Sequence, residues 1–142
     1  MINLFKNKEK DKINNNDFLF KVASLLIHAA KIDEVYTDEE KKIIKETLIK
    51  LGAKNSNIDK IMLKATLDEE NSNQILDFTR KIKNTSELSK IKIVEALWEI
   101  VYSNKKADIY EDNLMRRLTG LLYLDKKIVG DIKEKIKKSL TK

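Results

Sequence analysis

The chain has no cysteine. A disulfide framework, a thiolate nucleophile and a Cys-ligated zinc or iron–sulfur centre are therefore excluded. It also has no proline and only 3 glycines in 142 residues, so nothing interrupts long helices and few residues favour hairpin turns. Leu, Ile, Lys and Glu are abundant and Val is scarce, a balance that favours helix over strand. Long hydrophobic runs are absent too: no stretch approaches the about 18 apolar residues a spanning helix needs. The start, Met1-Ile2-Asn3-Leu4-Phe5-Lys6, has too short an apolar run for a secretory leader. A reduced, cytoplasmic setting is the expectation.

What is present is charge. Charged residues make up 37% of the chain, hydrophobic ones 42%, and the formal net charge is +6. Arginine stands only at Arg80, Arg116 and Arg117 among 29 basic residues. Phosphate and base-edge recognition favours the arginine fork, so the lysines read as a solvated surface and nucleic acid is not the expected partner. There is no Gly-rich phosphate loop, and no carboxylate pair or Ser/His arrangement from which a reaction can be argued. The expected protein is not an enzyme.

Residues 1–16 are polar and are expected to form an arm ahead of one helical domain over 17–142. Hydrophobic spacing then predicts about seven helices. The first runs from about Asp17 to Lys31, with Phe18, Val22, Leu25, Leu26 and Ala29 on one face. The second follows Thr37-Asp38-Glu39-Glu40, a capping box in which Thr and Glu satisfy each other's backbone amides, and ends near Leu51-Gly52, where Gly suits a left-handed terminus. The third covers about Ser56 to Leu67. A short fourth, about Gln74 to Lys83, buries Ile75, Phe78 and Ile82. The fifth, from Ser86 to Ser103, is apolar on most sides, which places it in the middle of a bundle. The sixth spans about Ile109 to Leu122 behind a cap at Asp108. The seventh runs from about Lys126 to Leu140, with Ile128, Ile132, Ile136 and Leu140 as a stripe between lysines. Basic amphipathic helices can rest on anionic membranes, so peripheral membrane contact is one expected mode; a protein partner is another.

The pattern occurs twice. A shift of 71 residues lays Leu26 on Leu97, Asp33 on Asn104, Thr37 on Asp108, Glu40 on Glu111, Ile43 on Leu114 and Leu51 on Leu122. Two copies of a three-helix unit, joined by the fourth helix, are expected to share one core around the first and fifth helices. Each copy has a bend rich in oxygen donors. Asp33, Glu34, Asp38 and Glu40 in the first bend, with Asp108 and Glu111 in the second, could hold a hard divalent cation such as Ca²⁺ or Mg²⁺. The same residues also read as helix caps that need no metal. Lys105 and Lys106 oppose a cation in the second bend. His28 has no Cys or second His beside it and reads as an interhelical hydrogen-bonder. Trp98 reads as core.

The strings Glu95-Ala96-Leu97-Trp98-Glu99-Ile100-Val101-Tyr102, Tyr110-Glu111-Asp112-Asn113-Leu114-Met115-Arg116-Arg117 and Gly120-Leu121-Leu122 closely resemble the TerB-like tellurite-resistance family, in its largely uncharacterised branch. Leu25-Leu26-Ile27, Ala29-Ala30, Asp33, Asp38-Glu39-Glu40 and Asp77-Phe78-Thr79-Arg80 agree as well. The resemblance spans about Phe18 to Lys138. It implies a compact all-α fold with a pseudo-repeat, association with tellurite and other chemical stress, and a metal-binding acidic surface. The Asp-Gly pairs usual in the family's bends are here Asp33-Glu34 and Asn104-Lys105.

Overall fold

The computed structural model describes residues 17–32, 36–72, 75–103 and 111–140, and of residues 111, 112 and 140 the backbone alone. The expected N-terminal arm lies outside these residues. All regular structure among the described residues is helical: α1 (17–30), α2 (Asp38–Lys50), α3 (Ile58–Asn71), α4 (Leu76–Ile82), α5 (Glu87–Ser103), a π turn (Glu111–Met115) running into α6 (Arg116–Leu121), and α7 (Lys126–Leu140). The all-α class expected from composition is what the chain adopts.

Two helices form the centre. On α1, Leu19, Val22, Ala23, Leu25, Leu26, Ile27, Ala29 and Ala30 are buried; on α5, Ile93, Val94, Ala96, Leu97, Trp98, Ile100 and Val101 are. Leu26 and Leu97, equivalent across the repeat, are both fully enclosed in one continuous core. A helix can be apolar nearly all round only if other helices surround it. Around α5 these are α2 and α7; α3 lies against α2, and α4 against α6. The Trp98 indole donates a buried hydrogen bond to the Val129 carbonyl at 3.1 Å, joining α5 to α7 without leaving its N–H unsatisfied.

The repeat shows most clearly in how helices end. At the end of α2, the Gly52 amide bonds Ile49 O (3.0 Å) and the Ala53 amide bonds Leu48 O (2.9 Å). At the end of α6, the Tyr123 amide bonds Gly120 O (3.3 Å) and the Leu124 amide bonds Thr119 O (2.9 Å). Each partner is displaced by the same 71 positions. Both are Schellman terminations, which require a left-handed residue after the cap. Gly52 supplies it with φ +112 and Tyr123 with φ +54. The next helices start in step as well: the Ile58 amide bonds Lys54 O, and the Val129 amide bonds Asp125 O, each at 3.1 Å. Lys90, only 5% exposed, occupies the position of Leu19 in the first copy, its four-carbon stem filling the space of an aliphatic side chain.

Four expectations are corrected. α3 continues past Leu67 to Asn71, because Asp68 and Glu69 turn towards Lys21 on α1 and Lys31 just past its end. The sixth helix is regular only from Arg116; a π turn precedes it. The apolar spacing of Leu114, Met115, Leu118 and Leu122 does not distinguish an α start from a π start. On α1, Phe18 is only half-buried, while Leu19 and Ala23 are enclosed, since the helix is covered on more than one face. The buried stripe of α7 is Val129, Ile132 and Ile136, with Ile128 left 37% exposed. The stripe leans one residue over because α7 docks against the Trp98 side of α5.

The paired helix ends give a test with opposite signs. Gly52→Ala forces a Cβ into a conformation costing about 1–2 kcal/mol and lowers the melting temperature, whereas Tyr123→Gly leaves it unchanged or raises it. Thermal denaturation of the two variants reads both signs.

Candidate functional site

The first bend, between α1 and α2, is built by the capping box anticipated from sequence. Thr37 is the N-cap, in extended backbone. Its Oγ1 accepts from the Glu40 amide at 3.1 Å, and Glu40 Oε1 accepts from the Thr37 amide at 2.9 Å. The Thr37 hydroxyl also donates to Oε1 at 3.0 Å. These bonds draw the Glu40 side chain inward until the residue is only 2% exposed.

Tyr36 precedes the cap. Its hydroxyl is buried with no hydrogen-bond partner among the described residues, and the phenol is pushed up to about 12, first by burial and then by the negative charge of Glu40. The Lys41 ammonium lies 5.1 Å from the centroid of its ring. Positions 36 and 41 are those of the hydrophobic staple that fixes how a chain enters a helix, here closed by a cation over an aromatic face. Sequence reasoning did not select Tyr36. An aromatic just before an N-cap, with Lys five residues on, is the signal that points to it.

The other candidate ligands are differently placed. Asp38 is exposed, with Lys41 3.8 Å away. Asp33, Glu34 and Asp108 lie outside the described residues, and Glu111 falls in the π turn, where the backbone alone is described. Among the described residues, no three His, Asp or Glu side chains converge as a cation would require. Glu40 and Asp38 thus flank one helix start, the first enclosed in the cap and the second open to solvent.

A second polar region runs along α1. Lys21, Ser24, His28 and Lys31 share one face and meet the acidic end of α3. Lys21 Nζ is 3.2 Å from Asp68 Oδ2 and Ser24 Oγ is 3.0 Å from the same oxygen. His28 Nδ1 is 3.3 Å and Lys31 Nζ 3.0 Å from the carboxylate of Glu69. His28 is the interhelical hydrogen-bonder expected of it, and this seam holds α1 to α3. The equivalent face of α5 is acidic. Glu95 meets Lys135 at 3.9 Å, while Glu99, at the place of His28, is pushed above the usual carboxylate range, chiefly by burial. Lys50 opposes that rise, and Glu95 and Glu46 add to it.

The family model described as Tellurite resistance protein TerB matches residues 19–134. The chain belongs to the TerB family. No curated protein and no solved structure gives a match. The match runs from the first buried leucine of α1 into α7, so both copies of the repeat and the linking α4 are family structure. TerB domains are generally non-catalytic. Among the described residues of this TerB-family chain, no helix is long and apolar enough to cross a membrane. The apolar stripe of α7 is covered by the core, while Lys135 meets Glu95 and Lys133 lies over the Trp98 ring.

Two outcomes follow from these contacts. Thr37→Ala removes the two bonds made by the Thr37 hydroxyl and lowers stability by about 1 kcal/mol, measured by chemical denaturation. At Glu99 the folded state holds its proton more tightly than the unfolded state, so its contribution to stability grows as pH falls through the carboxylate range and is lost as pH rises. Glu99→Gln is therefore expected to raise the melting temperature at pH 7, with the advantage shrinking at acid pH.

Proposed function

We propose that this TerB-family chain is a non-catalytic binding protein of the response to tellurite and other chemical stress, and that its first acidic bend takes a hard divalent cation, Ca²⁺ or Mg²⁺. One observation carries the reading. The Glu40 carboxylate is enclosed at the start of α2, and its charge is strong enough there to help raise the Tyr36 phenol to about 12. Negative potential held where water is partly excluded is screened less than at an open surface, and it favours a cation nearby.

The surrounding residues suit that ligand class. Asp33, Glu34 and Asp38 offer carboxylate oxygens, the donors hard cations prefer. Glu40 has one oxygen committed to Thr37, so its part is to fix the helix start and supply field from behind, with Asp33, Glu34 and Asp38 as the direct ligands. The second bend is the weaker seat, because Lys105 stands at the place of Glu34 and Lys106 at that of Val35, where two positive charges oppose a cation.

A ligand that binds only the folded state stabilises it by mass action, about 2.7 kcal/mol at one hundred times its dissociation constant. Millimolar Ca²⁺ or Mg²⁺ is thus expected to raise the melting temperature of the full chain, and Asp33→Asn with Glu34→Gln to abolish the rise. An unchanged melting temperature with either ion at millimolar concentration overturns the cation assignment.

A further inference from the structure

The outward face of α3 is apolar where it has no reason of the fold to be. Leu63 is 66% exposed and Leu67 51%. They lie four residues apart and so stand one above the other on the helix. Lys60 stands one turn before Leu63 and Glu70 one turn after Leu67, both exposed. The series Lys60, Leu63, Leu67, Glu70 steps by three, four and three, the spacing of the seam along which two helices pack as a coiled coil. The inner face of α3 carries Ile58, Met62 and Ala65 into the core, so this second stripe is additional to the one that folds the chain.

We infer that α3 is a self-association surface, pairing antiparallel with α3 of a second copy of this chain about a two-fold axis between Leu63 and Leu67. The order of charges selects both the occupant and the orientation. Reversed against itself, the stripe places Leu63 on the partner's Leu67, Leu67 on the partner's Leu63, Lys60 on the partner's Glu70 and Glu70 on the partner's Lys60. Every layer is matched, as an isologous contact requires. A parallel pairing sets lysine on lysine and glutamate on glutamate, which repel. Asp59 and Lys64, at the edges of the stripe, are engaged within the chain: Asp59 lies 3.4 Å from Lys45, and Lys64 lies over the half-buried Phe20 ring. Among the described residues Glu70 has a long contact to Lys31, at 3.8 Å, with over half its side chain exposed, and can reach across the axis. The other strongly exposed apolar residues, Leu88 and Tyr123, do not share a helix face, and the Tyr123 ring is already met by the Lys83 ammonium at 5.8 Å.

Two leucines a side make a small interface, so the dimer is weak and concentration-dependent. Sedimentation equilibrium of the full chain from about 10 µM to about 1 mM, a span that brackets such affinities, is expected to show the mass rising from 16.5 kDa towards twice that value. Leu63→Asp abolishes the rise. Lys60→Glu, which sets like charges on both sides of the axis, weakens association about tenfold or more, a change equal to about 1.4 kcal/mol. Lys60→Glu combined with Glu70→Lys reverses the charge order and restores association to within about threefold, as coupling between facing residues requires. All the substituted positions are solvent-exposed, and circular dichroism checks that helicity is kept. A chain that stays at 16.5 kDa throughout, a dimer indifferent to Leu63→Asp, or a double variant as weak as Lys60→Glu alone overturns the proposal.

Discussion

Everything else in the fold is arranged around the enclosure of two helices, α1 and α5, in one core. Each helix has more apolar surface than one neighbour can cover, and so neither can sit at an edge. With α1 and α5 at the centre, α2 and α7 must pack against α5, and the acidic end of α3 must close over the polar face of α1. The hydrophobic effect supplies the drive without direction. Direction comes from a few polar contacts that fit in only one arrangement, such as the Trp98 indole on the Val129 carbonyl and the paired carboxylates of Asp68 and Glu69.

The two copies have diverged unevenly. Their helix ends keep the same hydrogen bonds, 71 residues apart, even where glycine has become tyrosine at a left-handed position. A Schellman end is defined by backbone, so many sequences satisfy it once packing holds the following residue in place. The polar faces of α1 and α5 have not been kept alike. His28 meets a carboxylate from α3, whereas Glu99 at the same place is crowded by acids and eased only by Lys50. One copy thus has a matched seam and the other a partly buried carboxylate that resists ionising.

The candidate site is built on a helix cap. Glu40 is enclosed because it closes the start of α2, and its burial gives its charge reach over Tyr36. The capping role was legible from Thr37 and Glu40 standing three apart. Tyr36 was not, since an aromatic in a bend has no periodicity to betray it; only its position before the cap and beside Lys41 gives it meaning. The outward leucines of α3 escaped notice for a related reason. In a helical pattern, Leu63 and Leu67 look like further core residues, and only their exposure separates them from Met62 and Ala65.

The sequence by itself determined the helical class, the duplication, the capping box at Thr37, the left-handed end at Gly52 and the buried places of Leu26, Leu97, Ile75, Phe78 and Ile82. All of these follow from local spacing or from backbone preferences acting within one or two turns. Tertiary structure alone decided that α3 extends to Asn71, that Val129 and not Ile128 faces the core, that a π turn precedes α6, and that Glu99 is held in a crowd of acids. Each of those depends on what lies across an interface, and a neighbour in space leaves no mark on the spacing of a single helix.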